Sequence, residues 1–304
     1  MAKEANKFEW SARAAEEFET CRRKRFWANY GAMPEWNRLR NIPELMQQTV
    51  CDAAHWMINE WSDKRAATAA EAYEQVARHR LNEAWSASRS GAWRQSGSKA
   101  LGLQEIHYSA LHSLPPDWPQ LLKTDVLACL EYFIEAIGPR LRSLPLDQEV
   151  KLPQTIPWEA EHALITVDAD FVHESGDRLC IHVWDTGAPG PAHARRIAVL
   201  VWWAHRVLKR PPESIQVWLS FLKYGHIVEE TGSSELIDQA EAMMIESMQD
   251  MSDYLEQTDR PRNRPLPKEE WDMTPERSVC RHCRFYALCE PELGHGYRAD
   301  ASKF

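Results

Sequence analysis

No stretch of 18 or more apolar residues occurs in the chain, which excludes a transmembrane helix. The first ten residues, Met-Ala-Lys-Glu-Ala-Asn-Lys-Phe-Glu-Trp, lack the apolar segment of a secretory signal. A cytoplasmic protein with no membrane partner is expected. A net positive charge is also missing. The 45 acidic residues outnumber the 36 Lys and Arg, for a formal charge of -9. That excludes a protein that is basic all over, although not a local basic groove. An even cysteine set is absent too. Seven cysteines with no secretory signal argue against a disulfide framework. No internal repeat is visible.

What is present is a chain of 304 residues, 44% hydrophobic, long enough for one large domain or a core domain carrying a helical insertion. Fourteen tryptophans and 10% aromatic residues exclude disorder. Arg22, Arg23, Lys24 and Arg25, with Arg38 and Arg40, form a local positive cluster. It reads either as a solvated helix face or as a nucleic-acid contact. Cys51, Cys129 and Cys180 lie in apolar surroundings and read as buried thiols.

A helix is expected over residues 8–30, running through Cys21, because Phe8, Ala12, Ala15, Phe18 and Cys21 recur at spacings of three and four. Ala32-Met33-Pro34 breaks it. A second helix is expected from Pro43 to Lys64, burying Leu45, Val50, Ala53, Ala54, Met57 and Trp61. His55 falls within it, and a lone helix histidine is ordinarily structural. An Ala-rich helix follows at 66–87. The segment 88–99, rich in serine and glycine with three positive charges, reads as a flexible loop. Trp93 within it is either a linker residue or a stacking surface for a nucleic-acid strand. Helices are expected near 101–113 and 118–143, separated by Pro115 and Pro116.

Strand character begins only after Pro153. Residues 163–172 and 178–185 read as a hairpin around the Glu174–Asp177 turn. A helix at 193–208, a strand at 215–222 and a short strand at 225–228 follow. A helix at 234–256 places Met243, Met244, Met248 and Met251 on a core face. A polar, proline-rich linker at 258–268 leads to Cys280-Arg-His-Cys283-Arg-Phe-Tyr-Ala-Leu-Cys289, a C-x2-C-x5-C pattern. With Cys21 these make four thiolates, which suit a four-iron, four-sulfur cluster. A structural zinc uses the same ligands, and the spacing leaves both open.

The order helix, helical insertion, hairpin, helix, strand, helix, cysteine cluster resembles the RecB-like branch of the PD-(D/E)XK nuclease superfamily. The subgroup it resembles carries an iron–sulfur cluster, as in CRISPR-associated exonucleases. Cys21-Arg-Arg-Lys-Arg-Phe-Trp and Pro275 through Cys289 look like that subgroup's two cysteine elements. The resemblance implies an α/β fold with a restriction-endonuclease-like core over residues 1–304, a helical insertion at 65–150, and a C-terminal iron–sulfur clasp at 269–304. It implies a 4Fe-4S cluster held by Cys21, Cys280, Cys283 and Cys289. It also implies a site for magnesium or manganese built from a helix histidine, a hairpin aspartate and an Asp-x-Lys-Thr-Gly motif.

Carried over residue by residue, His55 matches the histidine and Asp170 the first aspartate, with Asp168 beside it. The last motif reads Val183-Trp184-Asp185-Thr186-Gly187, so valine stands at the second acid's position and Asp185 at the lysine's. Valine binds no hard cation, and aspartate supplies no positive charge. The family's Gln-x-x-x-Tyr is missing from the following helix, which opens Arg195-Arg196. The expected function is a catalytically degenerate DNA-binding or scaffolding subunit of a DNA-processing or defence complex, with Arg22, Arg23, Lys24 and Arg25 on DNA. Partner helicase, nuclease or CRISPR-type proteins are implied. One alternative is an active DNA exonuclease with magnesium or manganese in a rearranged site of His55, Asp170 and Asp185, joined by Asp168 or His182. Another is a protein-interaction subunit with no DNA contact.

Overall fold

The computed structural model describes residues 5–6, 8–31, 33–61, 66–142, 154–158, 163–257 and 262–293. The start of the expected 258–268 linker, the ends of the expected 43–64 helix and 65–150 insertion, and residues 294–304 lie outside these. The fold is mixed α and β. It divides into two compact units, Met1–Ala32 with Leu144–Met273, and Met33–Ser143 with Thr274–Phe304.

The first unit holds a four-stranded sheet in the order His226–Thr231, Ile215–Phe221, Arg178–Asp185, Phe171–Ser175. The two central strands are parallel and both edge pairs antiparallel. Parallel neighbours need a crossover, and the Ala192–Arg206 helix lies between them in sequence. The hairpin turns at Gly176, whose φ of 64° a side chain would resist. One sheet face, with Leu179, Ile181, Val183, Val217 and Leu219, packs in a core with Val199, Val201 and Trp203 of that helix. The Ser234–Ser252 helix adds Ile237, Ala240, Met244, Met248 and Met251, so the methionine stripe is core as expected except for Met243, which is partly buried against it. Full burial of each such apolar side chain is worth roughly 1.5–3 kcal/mol.

Two expectations change in this unit. The 163–172 strand divides into Ala163–Val167, which pairs with Glu9–Trp10 and Gln154–Trp158, and Phe171–Ser175, which forms the hairpin. Asp168 and Asp170 fall in the break. Strands also precede Pro153. Ala5–Asn6, for example, pairs with Arg262–Pro265, which pairs in turn with Leu255–Gln257. Two-residue strands bounded by lysines and glutamates carry no readable alternation.

The 8–30 helix is in fact two, Ala12–Thr20 and Arg22–Tyr30. They break at Cys21, which is extended at φ -165° and ψ 111°. Sequence periodicity runs straight through the break because both helices bury a face in one place. Phe18, Phe26, Tyr30 and Tyr254 surround Trp271 with ring centroids 5.0–6.3 Å away.

The second unit is largely helical. Ile42–Glu60 starts at a capping box in which Asn41 and Glu44 satisfy each other's backbone amides. Its buried residues include Leu45, Val50, Ala53, Ala54 and Met57. Helical runs at 69–90 and 118–141 each contain one π turn, at Tyr73–Ala77 and Phe133–Ile137. An Asp52–Arg80 ion pair of 2.6 Å joins Ile42–Glu60 to the 69–90 run. Cys129 is buried as expected, whereas Cys51 is only half-buried and accepts a hydrogen bond from Gln47.

The expected flexible loop at 88–99 is corrected. The helix continues to Ser90 and stops at Gly91, whose φ is 73°. Trp93 is 1% exposed, in a cluster with Leu39, Tyr108 and Tyr286, so it offers no stacking surface. Arg38 donates to the carbonyls of Trp93 and Gln95. A Cβ on Gly102 would stand 2.7 Å from the Trp93 ring, which explains a glycine there. Instead of a helix over 101–113, a short strand and the four-residue helix Gln104–His107 follow.

Candidate functional site

Cys280, Cys283 and Cys289 occupy tight turns of the second unit. Cys280 lies on the short Arg277–Arg281 helix and Cys289 ends Tyr286–Cys289. The Cys283 amide donates to the Cys280 carbonyl at 3.1 Å, and the Tyr286 amide donates to the Cys283 carbonyl at 3.0 Å. All three thiols are half-buried. Thiolates are soft ligands, the kind that zinc and iron–sulfur centres use.

A post from the same unit holds this segment. Tyr108 is 8% exposed, and its hydroxyl donates to the Arg284 carbonyl at 3.0 Å and accepts from the Ala287 amide at 3.3 Å. Burial raises its phenol above the ordinary value, and the nearby Cys283 and Cys289 add to the rise. Arg284, 8% exposed, pairs with Glu44 at 2.7 Å. Gln104 donates to the Arg281 carbonyl, and Arg281 donates to the Leu111 carbonyl. Sequence reading missed Tyr108, Glu44 and Gln104. Glu44 carried the spacing of a capping box, which signals a helix start and not a contact with the cysteine segment, and no motif surrounds Gln104 or Tyr108.

Cys21 belongs to the first unit and is the N-cap of Arg22–Tyr30. That position faces the positive end of a helix, a favourable place for a ligand sulfur. Among the described residues, no group of three or more His, Cys, Asp or Glu side chains is placed to hold a metal ion.

The four cations after Cys21 have partners inside the unit. Arg23 is 4% exposed; its Nε donates to the Trp271 carbonyl at 2.8 Å and its amide to the Asp272 carbonyl. Lys24 and Arg25 both approach Glu17. Arg22 pairs with Asp272 at 3.2 Å and lies over the Phe18 and Tyr254 rings. It also lines a cleft of about 460 Å³ whose other charged residues, Asp250, Asp253, Glu269, Glu270 and Asp272, are acidic. Such a surface repels phosphate.

The hairpin acids are likewise engaged. Asp170 accepts a 2.6 Å hydrogen bond from the Trp184 amide, and Arg196 lies 4.0 Å from the same oxygen. Asp185 accepts from the Gly187 amide at 2.6 Å through Oδ1 and meets His193 Nε2 at 3.2 Å through Oδ2. Arg195 pairs with Glu19 at 2.7 Å. Glu16 sits close to Arg195, Arg196 and His193, although burial outweighs them and raises its carboxyl. His193, Arg196 and Glu16 were not picked out from the sequence. The Gly187–Pro191 turn, which folds the helix start back on Asp185, was the available signal.

Asp168 and His182 are not drawn into this group. Asp168 is exposed. His182 alternates with Val183 to the opposite side of its strand, where its Nε2 meets His173 Nε2 at 3.2 Å and its ring lies 4.6 Å from Trp218. His55 is in the second unit, half-buried one turn from Asp52, which feels its charge. Val183 is 1% exposed in the apolar core. No family model matches the chain, and no curated protein matches it.

Proposed function

We propose that this chain is a catalytically silent, RecB-like member of the PD-(D/E)XK group that acts as a scaffolding subunit in DNA processing or defence. Its fold is clasped by an iron–sulfur cluster. The observation that carries the reading is the occupancy of the two hairpin acids. Asp185 has one oxygen on the Gly187 amide and the other on His193, and Asp170 Oδ2 accepts from the Trp184 amide with Arg196 4.0 Å away. The hairpin, crossover helix and parallel third strand are the arrangement the resemblance implies, which supports the core assignment.

Cys280, Cys283 and Cys289 would hold the cluster, with Cys21 as fourth ligand on the strength of the sequence pattern. A four-iron cluster bound there supplies a covalent tie and a redox-active centre. Scaffolding is favoured over direct phosphate contact because Arg22, Arg23, Lys24 and Arg25 are engaged with internal partners and acidic residues surround Arg22. The test is cleavage of single- and double-stranded DNA with magnesium or manganese. No cleavage is expected. Metal-dependent cleavage abolished by Asp170→Ala would overturn the reading.

A further inference from the structure

Three carboxylates from three elements face the start of one helix. Asp170 precedes the Phe171–Ser175 strand, Asp185 ends Arg178–Asp185, and Glu16 lies on Ala12–Thr20. His193, Arg195 and Arg196 approach them from the first turns of Ala192–Arg206. Carboxylates gathered from separate elements are the usual ligands of a hard divalent cation. Here the lone pairs are used otherwise.

The Asp185 oxygens are divided between two donors. Oδ1 takes the Gly187 amide and Oδ2 takes His193. An ionised carboxylate only accepts, so the bond between His193 Nε2 and Asp185 Oδ2 has His193 as its donor. His193 Nδ1 lies 3.0 Å from both the amide nitrogen and the carbonyl oxygen of Gly190. In the neutral ring, Nδ1 accepts from the amide and Nε2 carries the proton. In the charged ring, Nδ1 donates to the carbonyl and Nε2 still carries a proton. In both forms Nε2 donates to Asp185, so it has no lone pair to give a metal. Asp170 Oδ2 accepts from the Trp184 amide, with the Arg196 guanidinium as its countercharge at 4.0 Å.

We propose that the Ala192–Arg206 helix supplies, through Arg196 and His193, the neutralising charge and donors that a divalent ion would bring, so that Asp170 and Asp185 fasten the helix to the hairpin and bind no metal. The residues therefore do not fit the magnesium or manganese site implied by the resemblance. The site is an internal electrostatic latch. The latch extends the proposed silence of the site, yet it stands on contacts within one unit and does not depend on any DNA or partner binding.

The test is titration of the full chain with Mn²⁺, read by water-proton relaxation, for the native protein, Asp170→Asn and the double variant His193→Asn/Arg196→Gln. Circular dichroism checks folding, and Arg196→Gln alone replaces the double variant if the latter does not fold. The native chain and Asp170→Asn should show the same weak, non-saturating response. The double variant should bind Mn²⁺ about tenfold or more tightly, because the Arg196 charge no longer opposes the ion. Adding Asp170→Asn should erase that gain. A saturable Mn²⁺ site in the native chain that Asp170→Asn removes would overturn the latch. So would a folded double variant that remains as insensitive to Mn²⁺ as the native chain. Loss of DNA retention or of a partner would leave these results unchanged, which separates the latch from the scaffolding role.

Discussion

The Tyr108 hydroxyl donates to the Arg284 carbonyl at 3.0 Å, joining residues 176 positions apart. The same oxygen accepts from the Ala287 amide, so it stands inside the turn between Cys283 and Cys289. Tyr108→Phe keeps the ring packing against Tyr286 and removes both bonds. A loss of about 1–2 kcal/mol is expected, because a buried carbonyl and amide lose their partner. Urea denaturation measures it. Iron retention by the proposed cluster should fall in parallel with stability, and unchanged stability would mean that the hydroxyl does not hold the turn.

Arg23 and Arg22 are neighbours with different jobs. Arg23→Ala leaves the Trp271 carbonyl without its buried donor and removes a core guanidinium. That change should cost roughly 2–3 kcal/mol. Arg22→Ala breaks an exposed pair with Asp272 and should cost about 1 kcal/mol or less. Denaturant midpoints of the two variants give the comparison. Equal effects would remove the distinction between an internal tie and a surface charge.

Acid should weaken the fold through His173. Burial lowers its pKa from 6.5 to about 4. An unfolded imidazole gains its proton near 6.5, the folded one only near 4, so between those values the unfolded chain binds more protons. The stability due to the neutral ring is therefore complete above pH 6.5 and is lost as pH falls toward about 4. His107 acts in the same sense, lowered to about 4 by burial and then by Arg94. Glu105, raised by burial, acts in the opposite sense. The contribution of His173 is isolated by comparing melting temperatures across this range with those of His173→Gln. The variant should melt with a shallower acid dependence.

Much of the architecture could be read from residue patterns. The hairpin, the Ala192–Arg206 helix, the strand at 215–221 and the methionine-faced helix all follow regular apolar periods. The break at Cys21 could not be read this way. An extended residue between two helices that share one buried face leaves the three- and four-residue spacing intact. Trp93 was misplaced because glycines and serines around it imitate a linker, while its burial depends on Leu39, Gly102 and Tyr108. At the site, Asp170 and Asp185 stood out as acids in a motif. Their partners His193 and Arg196 did not, because a hydrogen bond across a turn and an ion pair between distant elements leave no fixed spacing in sequence.

The most direct test of the whole account is metal and sulfide analysis of the chain purified without oxygen, with its visible spectrum. The account predicts brown protein with broad absorbance in the blue that reduction bleaches, carrying about four iron and four sulfide per chain. Serine at Cys280, Cys283 or Cys289 should remove most of the iron. Colourless protein carrying stoichiometric zinc and no sulfide would contradict it.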